Sequence, residues 1–384
     1  MTDAFDLIIL GGGCAGLSLA RELAEFGSDC PSVCVIEQRT TYENDRTWCF
    51  WRDEQTLLPH LVQHQWTRAR LHAQKESVLL DCRDHPYQMI SAAIFYDDAF
   101  QKIMRVPQIR LEKGAKVLSE PVDGDGMFVV NTDVGIRRAP KIIDSRSQPR
   151  LLPTDQVPIL WQSFFGKEIS CALPIFDATT VGLMDFIDDQ SGRIIFTYFL
   201  PLTAHRALIE VTVFDPRPLT AQQLQVTLQQ QIEATVGAHV VTVERSESGL
   251  LPMGLPPAVT ADSSNYLRAG LMHGAARASS GYAFQRIQNW SQKCAAKIVA
   301  GESIIGHDKD PFLIRHMDRL FLAVLRQHPD KASVLFLSMF RHCELATLVR
   351  FLNDRATWRD AIKLIMALPA LPFLRQLGRE FGFG

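Results

Sequence analysis

Asp6-Leu7-Ile8-Ile9-Leu10 is a short, branched apolar run, the pattern of a parallel strand buried on both faces. After a glycine-rich break, apolar residues return at helical spacing (Leu17, Ala20, Leu23 and Ala24), which predicts a helix over 17–26. A second apolar strand, Val33 to Ile36, ends in Glu37. The pattern then alternates, as in Thr67–Ala73 and Met127–Val130, and predicts antiparallel strands within 60–80 and 105–131. Between them Ile94, Phe95, Ala99 and Ile103 share one face of a helix over 91–104. Lys141 to Arg146 is another short apolar strand ending in a polar turn.

Strand-like runs resume at 160–165, 180–186, 194–200 and 207–214, followed by a helix over 221–236. A last strand, loop and helix run from Leu267, with the helix beginning near Tyr282. From about His307 the spacing turns helical: Phe312, Leu320, Phe321, Val324 and Leu325, then Val334–Leu337 and Met366–Phe373. These elements predict an α/β protein: a Rossmann-type FAD-binding domain, an inserted antiparallel sheet forming a substrate domain, and a C-terminal helical region. The expected boundaries are 1–75, 132–160 and 262–305 for the cofactor domain, and 76–131 and 161–261 for the inserted domain. Residues 306–384 form the helical region.

The glycine-rich break carries the first candidate chemistry. Gly11, Gly13 and Gly16 form G-x-G-x-x-G between strand and helix, with Cys14 and Ala15 completing the loop. The glycines permit a tight turn, close approach of a pyrophosphate and close helix–strand packing, and the helix start offers free N–H groups. Glu37, about twenty residues on, is placed to accept hydrogen bonds from a ribose. A carboxylate there repels a 2′-phosphate, which argues against NADP. The position of the motif at the start of the chain favours FAD over NAD by analogy of fold.

Length and charge narrow the classes. The 384 residues, 47% hydrophobic and 21% charged, are enough for two domains of an ordinary folded protein. A net charge of -2 with no basic stripe argues against nucleic acid as a partner. The first residues lack the basic region and cleavage site of a signal peptide, and no apolar run is long enough to span a bilayer. The eight cysteines contain no C-x-x-C, so no metal site is expected and they read as reduced thiols.

Three further segments stand out. Asn44 to Trp51 contains Arg46 and Trp48, either beside the cofactor or as a surface stack. Glu210 is the acid that stands out in the inserted sheet. Alternation puts Leu208, Glu210 and Thr212 on one face and Ile209, Val211 and Val213 on the other. The strand suits a buried general acid or a surface carboxylate paired with an arginine. The tail from His307 holds twelve Lys/Arg against eight Asp/Glu, which suits docking on an anionic membrane or a helical lobe packed on the core.

Together these segments are similar to the flavin-dependent bacterial lycopene cyclases, nearly end to end. Asn44-Asp45-Arg46-Thr47-Trp48-Cys49-Phe50 resembles that family's Asn-x-x-Thr-Trp segment. Asp144-Ser145-Arg146, Gln162 to Glu168 and the tail from near Met317 resemble other parts, and Ser280-Gly281-Tyr282 resembles its Thr-Gly-Tyr loop. Leu208-Ile209-Glu210-Val211-Thr212 resembles its acidic strand motif, with Val211 in place of a second acid. Leu271 follows Gly270 where hydroxylase-like flavoproteins have aspartate, which counts against an ordinary aromatic hydroxylase.

The resemblance implies redox-neutral cyclisation of lycopene or a related acyclic carotenoid to β-ionone rings, giving β-carotene via γ-carotene. It implies Glu210 as proton donor, Trp48 as a cation-stabilising ring, and reduced FAD with electrons from NAD(P)H. Gly11, Gly13, Cys14, Ala15, Gly16, Glu37, Arg46, Gly281 and Tyr282 are the expected cofactor contacts. A carotenoid arrives from lipid, so the expected location is the cytoplasmic side of the inner membrane, peripherally bound. Two other readings stay open on the residues: a flavin monooxygenase or oxidoreductase on another lipophilic substrate, and a non-catalytic polyene-binding flavoprotein.

Overall fold

The computed structural model describes residues 2–146, 157–188, 191–255 and 264–380. Its first layer is a parallel sheet built from the shortest and most apolar strands. β2 (Leu7–Leu10) and β3 (Val33–Glu37) lie at its middle with every residue buried. β13 (Ile142–Asp144) pairs with β2, β19 (Tyr266–Arg268) closes one edge, and β9 (Ile109–Lys113) closes the other. Each Leu or Ile side chain buried here contributes roughly 1.5–3 kcal/mol. Helices α1 (Cys14–Ala24), α2 (Ala92–Ile103) and α4 (Phe284–Val299) cover one face. A small sheet of β1 (Thr2–Ala4), β12 (Gly135–Ala139), β11 (Met127–Thr132) and β10 (Val122–Gly124) packs on the other.

The second layer is a seven-stranded sheet in the order β18 (Val241–Met253), β14 (Leu160–Cys171), β17 (Arg206–Asp215), β16 (Ile194–Thr203), β15 (Thr180–Ile187), β6 (Arg68–Ala73) and β7 (Glu76–Asp81). All neighbours are antiparallel except β15 and β6. Helix α3 (Ala221–Val236) buries Leu224, Leu228 and Ile232 against one face. The other face looks toward the parallel-sheet layer and the tail. Between the layers β4 (Thr47–Trp51), β8 (Tyr87–Ser91) and β5 (His64–Trp66) form a short three-stranded sheet.

Sheet membership divides the chain differently from the expected boundaries. β6 lies within 1–75 yet belongs to the seven-stranded sheet, and β9, within 76–131, is an edge of the parallel sheet. Alternation identifies a strand but not the sheet it joins, because β6 enters its sheet through β15 and β9 through β3, each a distant segment. The expected spans also cover 147–156, 189–190, 256–263 and 381–384, which lie outside the described residues.

The tail folds into α5 (Phe312–Gln327), α6 (Ala332–His342), α7 (Leu345–Leu352), α8 (Trp358–Met366) and α9 (Ala370–Glu380). The helix expected over 366–373 is broken, since Pro369 removes the amide that a continuing helix needs. Leu322, Leu325, Leu335 and Leu348 join the core under the seven-stranded sheet. No single helix among the described residues is long and apolar enough to cross a membrane.

Candidate active site

A glycine-lined cradle forms where β2 ends. Gly11 sits at φ +92°, a conformation that side chains disfavour, and its N–H donates to Ile36 O. A Cβ on Gly16 would lie 2.0 Å from Gly11 O and 2.8 Å from Ser145 Oγ, so only glycine lets α1 approach here. Ser145 ties the crossing together by donating to Leu10 O and Gly11 O at 2.9 Å. A Cβ on Gly13 would meet nothing within 4 Å, so its backbone faces open space. No side chain caps α1 and no acid lies in its first turn, which leaves its free N–H groups available to an anion. Glu37 accepts from Gly12 N at 2.7 Å and Arg39 N at 2.8 Å and is buried at the end of β3. This donor set fits the pyrophosphate and ribose of a dinucleotide.

From the cradle a cavity of about 930 Å³ runs to the face of the seven-stranded sheet. Register aligns four residues across that face. Tyr198 on β16 pairs with Glu210 on β17, Glu210 with Gly166 on β14, and Gly166 with Glu247 on β18. Tyr198, Glu210 and Glu247 line the cavity together with the rings of Trp48, Phe164 and Tyr282. Trp48 stacks on Phe284 with ring centroids 4.9 Å apart and meets Phe95 edge-on. Val211 lies wholly buried on the opposite face, against α3. The position of the second motif acid therefore never faces this cavity.

The two carboxyls are held differently. Glu210 Oε1 accepts from Thr212 Oγ1 at 2.9 Å. Burial first, and the nearby Glu247 second, push the Glu210 carboxyl up from 4.5 to about 8, against the opposing pull of Thr212, Arg46 and Arg245. Glu247 accepts from Thr47 Oγ1 at 2.7 Å and forms an ion pair with Arg245. Arg245 also pairs with the buried Glu168 at 2.6 Å, which in turn pairs with Arg206. Burial raises the thiols of Cys14, to about 12, and Cys49, so neither is an activated nucleophile.

The loop over the cavity is fastened from behind. Arg277 N donates to Tyr282 O and Gly281 N to Arg277 O, both at 2.9 Å. The Arg277 side chain is fully buried, pairs with Asp318 on α5 and with Asp354, and donates to Phe351 O. It also lies over the Phe351 ring at 3.9 Å. The tail thus sets the position of Ser280-Gly281-Tyr282. Gln162 Oε1 lines the cavity beneath Gly281, buried and without a hydrogen-bond partner among the described residues.

The profile described as "Lycopene cyclase protein" matches residues 6–377 of this chain. The chain belongs to the lycopene cyclase family. The lycopene beta-cyclase of Pantoea ananas is 24% identical over 98% of both chains. The chloroplastic/chromoplastic lycopene beta cyclase of Capsicum annuum is 25% identical over 65% of this chain, and the match spans only 52% of that longer protein. Among solved structures, a geranylgeranyl bacteriochlorophyll reductase-like protein from Thermoplasma acidophilum superposes with a TM-score of 0.62 at 10% identity, covering 99% of each chain. That likeness is one of fold.

Within this lycopene cyclase family member, most of the expected site residues meet in one cavity. Gly11, Gly13, Cys14, Ala15 and Glu37 line its cradle end. Arg46, Trp48, Glu210, Gly281 and Tyr282 line the rest. Gly16 stands behind the cradle at the strand–helix crossing rather than in the lining. Sequence reasoning missed Glu247, Gly166, Gln162 and Arg277. Gln162 and Gly166 lay in the family-like stretch Gln162 to Glu168 without a role, and Arg245 and Glu247 at alternate positions mark a polar strand face but say nothing of its partner.

Proposed function

We propose that this protein is a lycopene beta-cyclase, closing the acyclic ends of lycopene or a related carotenoid to β-ionone rings without net redox change. The observation that carries the reading is Glu210, a carboxyl set in a cavity walled by aromatic rings, where burial pushes its pKa up to about 8 and so favours the protonated form. An acid in that state can protonate a terminal alkene, and Trp48 can stabilise the resulting cation by about 1–2 kcal/mol once water is excluded. The rings of Phe164, Tyr198 and Tyr282 exclude water and hold the polyene. FAD, in reduced form with electrons taken from NAD(P)H, would supply fixed negative charge near the cation. Gly11, Gly13, Cys14 and Ala15 would hold its pyrophosphate, Glu37 its ribose, and Arg46, Gly281 and Tyr282 its remaining polar groups.

The substrate dissolves in lipid rather than water, and the tail supports peripheral docking on the cytoplasmic side of an anionic membrane. Trp358, Ile362, Ile365 and Met366 recur at i, i+4, i+7 and i+8 on α8, all exposed, with Met366 80% exposed. Leu371 and Leu374 are exposed on α9, and Arg359, Lys363 and Arg375 are exposed on the same two helices. Sedimentation with anionic vesicles should carry the protein down, and Ile365→Glu/Met366→Glu should leave it in the supernatant. Binding unaltered by that pair would remove the docking role.

The decisive assay supplies lycopene to the flavin-loaded protein under reduction and separates pigments by chromatography. β-Carotene by way of γ-carotene is expected, with Glu210→Gln lowering turnover roughly 10³-fold while flavin stays bound. Oxygenated products would favour a monooxygenase, and unchanged lycopene a polyene-binding protein.

A further inference from the structure

We propose that Glu247 is the second catalytic carboxylate of this cavity, the base that removes the ring proton after Glu210 has donated its own. The proposal rests on the cyclase reading and adds a residue that neither the strand motif nor the sequence pattern singles out.

The argument begins with register. Gly166 separates Glu210 from Glu247 on the same sheet face, one strand on either side. A Cβ at Gly166 would come 3.1 Å from Glu210 Cβ, so the glycine leaves the space between the two acids free of any side chain. Each carboxyl is fastened by one oxygen only. Glu210 is held through Oε1 by Thr212, and Glu247 through Oε2 by Thr47 and Arg245. Among the described residues the second oxygen of each accepts no hydrogen bond, and both residues line the cavity.

The surroundings sort the roles. Glu247 stands at the inner end of an alternating run, Arg206, Glu168, Arg245 and Glu247, that holds it as one member of an ion pair. Glu210 forms no ion pair among the described residues; Arg46, Arg245, Cys49 and Tyr198 are the other ionisable groups that sense it. Two neighbouring carboxyls whose environments differ in this way are the arrangement for one acid and one base.

The steps balance. The Glu210 O–H bond breaks and a C–H bond forms at the terminal alkene, leaving a tertiary cation. The internal alkene closes the ring, forming one C–C bond and moving the cation into the ring. A ring C–H bond then breaks, its electron pair becomes the ring alkene, and the proton goes to the free oxygen of Glu247. Return of that proton from Glu247 to Glu210 across the Gly166 gap resets the pair. No electrons are gained or lost and no further reactant is needed.

The test compares flavin-loaded wild type, Glu247→Gln and Glu247→Asp on lycopene in detergent, reading flavin content, kcat against pH and ring type. Glu247→Gln should keep its flavin and lose about 100-fold in kcat at its optimum pH, with rings formed by other proton losses among the products. Glu247→Asp keeps the charge but withdraws the base by one methylene. It should also lose kcat, with little movement of the pH limbs. If Glu247 acted only through its field on Glu210, Glu247→Asp would turn over like wild type. Glu247→Gln would then keep its maximal kcat and single ring type and shift only the alkaline limb; that pair of results overturns the proposal. A wild type that leaves lycopene acyclic overturns the cyclase reading, and this proposal with it.

Discussion

The two large sheets of this protein place their chemistry in opposite ways. In the parallel sheet the polar groups sit at strand ends and in the turns that follow: Gly11 to Gly16 after β2, Glu37 at the end of β3, Asp144 and Ser145 at the end of β13. In the seven-stranded sheet they sit in mid-strand, and a site is assembled sideways through Tyr198, Glu210, Gly166 and Glu247. The difference follows from backbone geometry. A parallel strand buried on both faces can carry polar function only where it emerges, so its functional residues are neighbours in sequence. An antiparallel strand has two independent faces, so its functional residues are neighbours only through register.

The strongest way to break that comparison is at β17. Val211→Glu adds the acid that the family motif has, but on the face buried against α3. If faces rather than sequence neighbours decide, it should lower stability by roughly 3–5 kcal/mol in denaturant unfolding and add nothing to cyclisation. A gain in turnover would show that the second acid reaches the cavity after all. In the parallel sheet the matching test is Gly16→Ala. The new Cβ meets a backbone carbonyl that cannot yield, so about 3 kcal/mol of stability and flavin retention should be lost together.

Titration sharpens the comparison next. The Glu210 carboxyl keeps its proton up to about pH 8 in the folded chain, while the unfolded chain releases it near 4.5. Its contribution is therefore present at low pH and is lost as pH rises through that window. Wild type should lose stability relative to Glu210→Gln between pH 4.5 and 8 and run parallel to it above, a difference on the order of a few degrees in Tm. Parallel curves throughout would place Glu210 in contact with water. The smallest effect on stability is expected of Gly166→Ala, about 1 kcal/mol from crowding against Glu210 and Leu208. Its effect on turnover should exceed its effect on stability, because it fills the gap between the acids.

Much of the parallel-sheet layer was legible. Strand, glycine loop, helix, strand and terminal acid are consecutive, and the cradle at Gly11, Gly13 and Glu37 formed where their order predicted. Glu210 was legible too, as the mid-strand acid of β17, whose alternation set its face correctly. Its state was not, since burial and Glu247 raise it and both come from other strands. Arg277 and Asp318 were invisible for a related reason: an arginine and an aspartate 41 positions apart carry no mark of pairing until α5 packs behind the loop.

What the chain by itself determined was therefore the part of the local structure that its pattern spells out: the clearly apolar strands, the glycine turn, and which residues of β17 share a face. Only the tertiary structure decided which strands adjoin, and with that which carboxylates meet. Side-chain period along a strand is written in the sequence, whereas register between strands separated by tens of residues is set by the packing of the whole core.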